Sequence, residues 1–478
     1  MTREPADLTE DILKKPVPAP EVEDLEDLAL GDDYALNPDY VEMVVDAADR
    51  GDSERLGELV SALRSEDVAD LMGFLTADYR EQVIPHLDPE ALAEVLSELE
   101  TSLREEILEA MHPATLAKAL EELDSDDAAD LVDDLEDDKR AAVLAAMDET
   151  DRAAIETSLA YEDETAGRLM QREVLAAPQF WTVGQAIDHV RTAGDDIPEL
   201  FFDIYVVDPG YKPVGAVPVS HLLRARREVS LAEIMEEVSE IPVDMDQEEV
   251  AYIFDKYHLI SAPVVDPGGR LVGQITVDDI VGVIQEEADE DVLALAGVSD
   301  AGRDAGVFDV VRSRLPWLVV NLVTEALAVT VIGAFQAEIT KLAVLAVLMP
   351  IVASLGGNAG TQTLAVAVRA LANNELNAAN AFRIVGREMF VGLLNGGAVG
   401  AVMAVAVWVI FKDATLCLVI ALALIINIFV ASVAGILAPL TLEKLGRDPA
   451  VSSSVFVTFV TDFTGFFSFL GLAALILL

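Results

Sequence analysis

Cysteine and basic residues are what this chain of 478 residues most lacks: it has one Cys, nine Lys and five His, and 31 Lys and Arg in all against 85 Asp and Glu. The single Cys417 lies inside an apolar run, so a disulfide framework and a cysteine-rich metal site are both excluded. A formal charge of −54 with no basic stripe repels phosphate, which excludes nucleic acid as a partner. The opening stretch, MTREPADLTEDILKKPVPAP, is polar and holds no apolar core of signal-peptide length, so insertion into a membrane falls to later segments. There is no phosphate-binding glycine loop and no catalytic set within an apolar run, which speaks against an enzyme and against pumping by nucleotide hydrolysis.

What is abundant pulls in two directions. A hydrophobic share of 52% and a mean hydropathy of +0.37 fit a membrane protein, whereas the net charge fits a strongly solvated one. Division at Val311 removes the conflict. From Arg312 onward there are nine Lys and Arg and eight Asp and Glu, while the first 311 residues hold 22 and 77, a net charge of −55. Crossing roughly 30 Å of hydrocarbon takes about 20 apolar residues. Five segments qualify, near Trp317 to Phe335, Leu342 to Ala365, Met389 to Phe411, Thr415 to Leu437 and Val455 to Leu477. Connecting segments on the amino-terminal side carry Arg312, Arg314, Arg369, Arg383, Arg387, Lys444 and Arg447, against Lys341 and Lys412 on the other side. That bias puts the acidic half in the cytoplasm and the carboxyl terminus outside a multiply spanned cytoplasmic membrane.

The second segment carries Pro350 and the run Gly356-Gly357-Asn358-Ala359-Gly360-Thr361-Gln362. Such a run is expected to break a helix and to present carbonyls and amides at membrane depth, tolerated only in protein packing or against water. Close helix packing is the other reading of these glycines. In the fifth segment Ser454, Thr458, Thr461, Asp462 and Gly465 fall within one helical stripe. A carboxylate inside a span costs about 2.5 to 3.5 kcal/mol on insertion scales, and no basic residue of that span offsets it, which makes Asp462 a pathway residue. Glu325, in the first span, fits a pore face or a subunit contact equally well.

In the acidic half a hydrophobic residue recurs every twelve positions, as Leu63, Leu75, Leu87, Leu99, Met111, Leu123, Leu135 and Met147. Helix-start signals such as Asp88-Pro89-Glu90, His112-Pro113 and Ser125-Asp126-Asp127 punctuate the same stretch. A short fixed period of helices predicts a superhelical array that buries one face of each member against its neighbours. From about Thr165 to Ile284 the grammar changes to β-branched runs alternating with helices. Val206-Val207-Asp208-Pro209-Gly210-Tyr211-Lys212-Pro213-Val214-Gly215 recurs 58 residues later as Val264-Val265-Asp266-Pro267-Gly268-Gly269-Arg270-Leu271-Val272-Gly273, each copy a strand, a turn and a second strand. Helices are predicted to follow from Ser220 and from Val277.

This duplicated unit resembles tandem CBS domains, a module that often binds adenine nucleotides. The family's Thr/Ser-x-x-Asp ribose pattern is intact as Thr276-Val277-Asp278-Asp279, which implies Thr276 and Asp279 as nucleotide-binding residues. Pro218 and His221 stand in its place in the first copy. Helix capping by Thr276 and the adjoining carboxylates fits the same four residues.

Taken with Thr165-Ala166-Gly167-Arg168-Leu169-Met170, Glu286-Glu287-Ala288-Asp289-Glu290-Asp291, the Pro350 to Gln362 run, Val368-Arg369-Ala370-Leu371-Ala372, Asp448-Pro449-Ala450 and Thr461-Asp462-Phe463-Thr464-Gly465-Phe466, the chain resembles the MgtE family of magnesium channels from about Asp39 to its end. The resemblance implies a multidomain fold: an all-α superhelical amino-terminal domain, an α/β tandem CBS pair, and an α-helical polytopic membrane domain of five transmembrane helices. The corresponding segments are an acidic disordered tail over 1–38, the helix-repeat domain over 39–160, CBS units over 161–228 and 229–283, a plug helix over 284–311 and the pore domain over 312–478. It further implies a homodimer in the lipid bilayer with one central pore and a plug that closes when cytosolic Mg²⁺ is high, with ATP as a further modulator. Asp462 matches the family's pore aspartate, and the residues themselves offer Thr458, Thr461, Ser454, Asn358 and Gly357 as further oxygens around a hydrated ion; regulatory Mg²⁺ would fall to Asp246, Glu248, Asp279, Glu286, Glu287 and Glu290. His258 and Gly282 depart from positions that are often acidic in the family. Two rival readings stand beside this one: a CBS-gated carrier of another divalent ion such as Co²⁺ or Ca²⁺, and a membrane-anchored nucleotide sensor.

Overall fold

Helices begin at Ser53, Ser65, Ala77, Pro89, Thr101, Pro113, Ser125, Asp137 and Glu149, one every twelve residues. Local chemistry sets these starts. Asp52 and Asp88 accept hydrogen bonds from the amides of Arg55 and Ala91, and Pro89 and Pro113 occupy first turns, where a missing N–H costs nothing. The recurring Leu and Met residues stand in the short connectors, not at helix centres, and Leu75, Leu99, Leu135 and Met147 are buried. They join Val68, Leu71, Val95, Leu96, Leu116, Leu120, Leu131 and Val132 in one apolar core running from Leu25 to Ile155.

The computed structural model describes Leu25 and residues 28–31, 34–193, 197–198, 200–296, 298, 307–372, 375–376, 380–445 and 453–477. Most of the expected acidic tail and the whole Asp448-Pro449-Ala450 motif lie outside these residues. The chain divides into two units, 1–280 and 281–478.

The duplicated segments of the first unit form two three-stranded sheets of the same design. In one, β1 (Ala176–Pro178) runs parallel to β2 (Asp203–Val207), which pairs antiparallel with β3 (Pro213–Pro218). In the other, β4 (Ile241–Pro242), β5 (Ser261–Val265) and β6 (Leu271–Thr276) repeat the order, and the same register shift falls at Val206/Val207 and Val264/Val265. Asp208 and Asp266 shape the equivalent turns by accepting from the amides of Gly210 and Gly268. Helices follow at Val219–Arg224 and Val277–Leu295, and the latter continues past residue 283 without a break.

Among the described residues of the second unit five apolar helices, Val310–Ala334, Val344–Ala372, Ala381–Phe411, Ala414–Lys444 and Ser453–Ile476, are long enough to cross a membrane. Here one expectation is corrected: the Gly356 to Gln362 run does not break the second span, which is helical throughout. Its glycines serve packing instead. A Cβ on Gly356 would overlap Asn427 of the fourth span, and one on Gly360 would lie 2.5 Å from Val457 of the fifth. Gly392, Gly396 and Gly400 repeat the device on the third span, against Ser432, Ile425 and Ala421 of the fourth. Pro316, Pro350 and Pro439 lie inside the first, second and fourth spans, where each removes one backbone donor from an otherwise helical ladder.

Candidate functional site

Two groups of carboxylates stand out, one in each unit. In the membrane half Asp462 is half-buried on the fifth span, and the Glu325 carboxyl of the first span reaches hydrogen-bond contact with it. Among the described residues no basic side chain acts on Asp462. Thr458 is exposed one turn before it, its hydroxyl donating to the Ser454 carbonyl at 2.9 Å, and Ser454 is half-buried. Thr461 does not share their surroundings. It is fully buried, its methyl group faces Gly360, and its hydroxyl donates to the Thr458 carbonyl at 2.9 Å. Asn358 is exposed with Ser354, Thr361 and Gln362 on the side of the second span turned away from Gly356 and Gly360, and Gly357 is half-buried.

Sequence reasoning missed Asn427. It is fully buried in the fourth span, donates to the Val352 carbonyl at 2.9 Å, and leaves its Oδ1 without a partner. Gly356 and Gly465 make room for it; a Cβ on Gly465 would lie 2.7 Å from its Nδ2. The available signal was a lone amide in an otherwise apolar span.

In the soluble half Asp126, at the start of the helix Ser125–Asp133, is 7% exposed and its Oδ1 is buried without a hydrogen-bond partner. Burial first, then the negative charges of Asp279, Asp127 and Asp124, hold its carboxyl well above the ordinary carboxylate range. Asp279 is raised as well, by burial and then by the charge of Asp278. Carboxylates from the helical array and from the end of the second CBS-like sheet thus meet in one seam. The seam is tied by Gln171, whose Nε2 donates to Asp124 at 3.2 Å, and by Ser125, whose hydroxyl donates to Glu173 at 2.9 Å. An orphaned buried carboxylate oxygen beside further carboxylates is a donor set suited to a hard divalent cation. Asp126 was read from sequence only as a helix-start signal.

Asp279 also accepts from the Thr276 amide at 3.3 Å and from its hydroxyl at 2.9 Å, and that hydroxyl contacts Asp278 too. This is one half of a capping box, in which the Asp279 carboxylate reaches back to the amide of the residue that precedes the helix. In the first copy His221 pairs with Glu236 at 3.2 Å. Asp246 is exposed and caps the helix Gln247–Tyr257 by accepting from the Glu248 amide, and Glu248 is exposed. Glu286 and Glu290 are exposed and Glu287 half-buried on the helix Val277–Leu295. The far end of that helix is apolar: Ala294 and Leu295 pack against Leu364 and Val368 of the second span, Ala438 of the fourth and Val457 of the fifth.

Three family models match the chain: the divalent cation transporter domain MgtE over residues 349–472, the MgtE intracellular N domain over 51–164 and the CBS domain over 231–286. The chain is 34% identical to the magnesium transporter MgtE of Enterococcus faecalis, over 67% of its own length and 71% of the relative's. It is 33% identical to the protein of the same name from Thermus thermophilus, over 68% and 73%. A crystal structure of the cytosolic domain of the Mg²⁺ channel MgtE in complex with ATP is 34% identical, covers 51% of this chain and 99% of that one, and has a TM-score of 0.49.

Proposed function

The chain belongs to the MgtE family of magnesium transporters, and on that premise we propose that it conducts Mg²⁺ through the cytoplasmic membrane, driven by membrane potential and closed by cytosolic Mg²⁺. Asp462 carries this reading: a mid-span carboxylate whose neighbour is a second carboxylate and not a cation. Mg²⁺ is small and dehydrates reluctantly, so a pore is served by a few carboxylates and polar oxygens around a hydrated ion. Thr458, Ser454, Asn358 and Gly357 could add such oxygens around the axis of a homodimer, while the Thr461 hydroxyl is turned into helix packing. A potential of 100 mV supplies about 4.6 kcal/mol to a divalent ion, enough without a second fuel.

The regulatory arm rests on the seam. Asp126 and Asp279, with Asp127 and Asp278 beside them, would hold a divalent cation whose charge offsets their mutual repulsion and favours the compact state of this unit. Asp246, Glu248, Glu286, Glu287 and Glu290 are further cation positions on the acidic surface and along the linking helix. The apolar end of that helix, packed among three spans, supports its role as a plug. ATP as a modulator has less behind it, since Thr276 and Asp279 bond each other. The charge beyond what a sensor needs is read as adaptation to a salty cytoplasm.

Mg²⁺ influx into liposomes tests both arms. Asp462→Ala should abolish influx, and chelating Mg²⁺ on the cytosolic side should raise it in the parent. Undiminished influx in the variant would sink the pathway, and indifference to cytosolic Mg²⁺ would sink the gating.

A further inference from the structure

Glu325 belongs neither to the stripe on the fifth span nor to the acidic half. It lies nine residues before the end of Val310–Ala334, and Asp462 nine residues into Ser453–Ile476. At 1.5 Å per residue each is about 14 Å from a helix end, near the middle of a hydrocarbon layer of roughly 30 Å. Their contact is set by packing and not by one rotamer. A turn further along, Ala328 and Val331 of the first span are buried against Phe466 of the fifth, which fixes the two helices at the same level. Glu325 is exposed, so apolar packing does not enclose it. A carboxylate at that depth is tolerated beside water or a counter-charge, and among the described residues its partner is another carboxyl.

We propose that Glu325 is a second specificity-determining residue of the ion path, acting with Asp462 from a different span on a hydrated divalent cation. This rests on the reading of Asp462 as a pathway residue. Two carboxylates in contact repel each other, and a divalent ion facing both turns that repulsion into two attractions. A monovalent ion gains half as much from each, so the second carboxylate raises divalent occupancy and preference over Na⁺ or K⁺. The water shell of Mg²⁺ offers donors that two carboxylates on neighbouring helices can accept without stripping the ion.

The test is flux through the full-length protein in liposomes, with Mg²⁺ as the permeant ion and hexaamminecobalt(III), an inert mimic of hydrated Mg²⁺, as the blocker. Glu325→Gln should still conduct, with half-saturating Mg²⁺ and half-blocking hexaamminecobalt both raised on the order of tenfold. That is the effect of one unit charge on a divalent ion at about 5 Å in water-like surroundings. Glu325→Asp, which keeps the charge, should stay close to the parent. If Glu325→Gln leaves both concentrations unchanged while Asp462→Ala abolishes flux, the proposal falls and the reading of Asp462 stands. If Asp462→Ala still conducts, that reading falls and the proposal with it. Equal impairment of the Gln and Asp variants, with both running as the parent does in gel filtration, would mark Glu325 as a packing residue and overturn the proposal.

Discussion

Asp462 was legible at the residue scale because a charge in an apolar span is costly wherever the chain folds; its neighbour was not. Glu325 precedes Asp462 by 137 positions, and only helix packing brings the two together. Asn427 shows the same limit, since its notch is made by glycines on two other spans. Gly356→Ala should therefore destabilise the membrane domain by about 1–3 kcal/mol through overpacking. Asn427→Ala in the same chain should recover much of the loss, read as thermal stability in detergent; no recovery would mean that Asn427 is not what the glycine accommodates. At the acidic seam burial raises Asp126 and Asp279 above their ordinary value of 3.8. In the absence of divalent ions the folded state then binds more protons than the unfolded state as the pH rises past about 4. The stabilisation is full below that pH and is lost as the pH climbs through the raised values. Thermal melts in chelator should show stability falling with rising pH over this range, and Asp126→Asn should flatten the slope.

Elements were read more securely than contacts. The twelve-residue period found in the sequence is the interval between helix starts, but the repeating Leu and Met mark connectors, because a helix of about ten residues needs an apolar anchor where the chain turns back. The two CBS-like hairpins kept their 58-residue offset because turn chemistry is local. The second span was misread. Glycine weakens a helix in water, yet in a membrane the backbone has no other partner, and the freed space is taken by neighbouring helices. For the linking helix, Ala294→Glu puts a charge among Leu364, Val368, Ala438 and Val457 and should unseat its end. Liposome flux at closing Mg²⁺ concentrations should then rise several-fold toward the chelated level; unchanged closure would rule out the packed end as the plug.

At the scale of the whole molecule the charge of −55 on the first 311 residues exceeds what a few Mg²⁺ ions require. Surface repulsion is screened to within about 3 Å at 1 M salt. Limited proteolysis of the full chain in detergent should accordingly show the acidic half protected in molar KCl, loosened in dilute buffer, and partly restored there by Mg²⁺. Protection in dilute chelating buffer would remove the salt explanation. Composition, charge partition, helix period and hydropathy determined by themselves that an acidic helical and CBS-like half precedes five spans, since each is a property of residues near one another along the chain. Only the tertiary structure decided that the glycine run stays helical, that Asp126 meets Asp279 and that Glu325 meets Asp462. Those outcomes depend on which surfaces pack across tens to hundreds of residues, and close packing has no short-range signature.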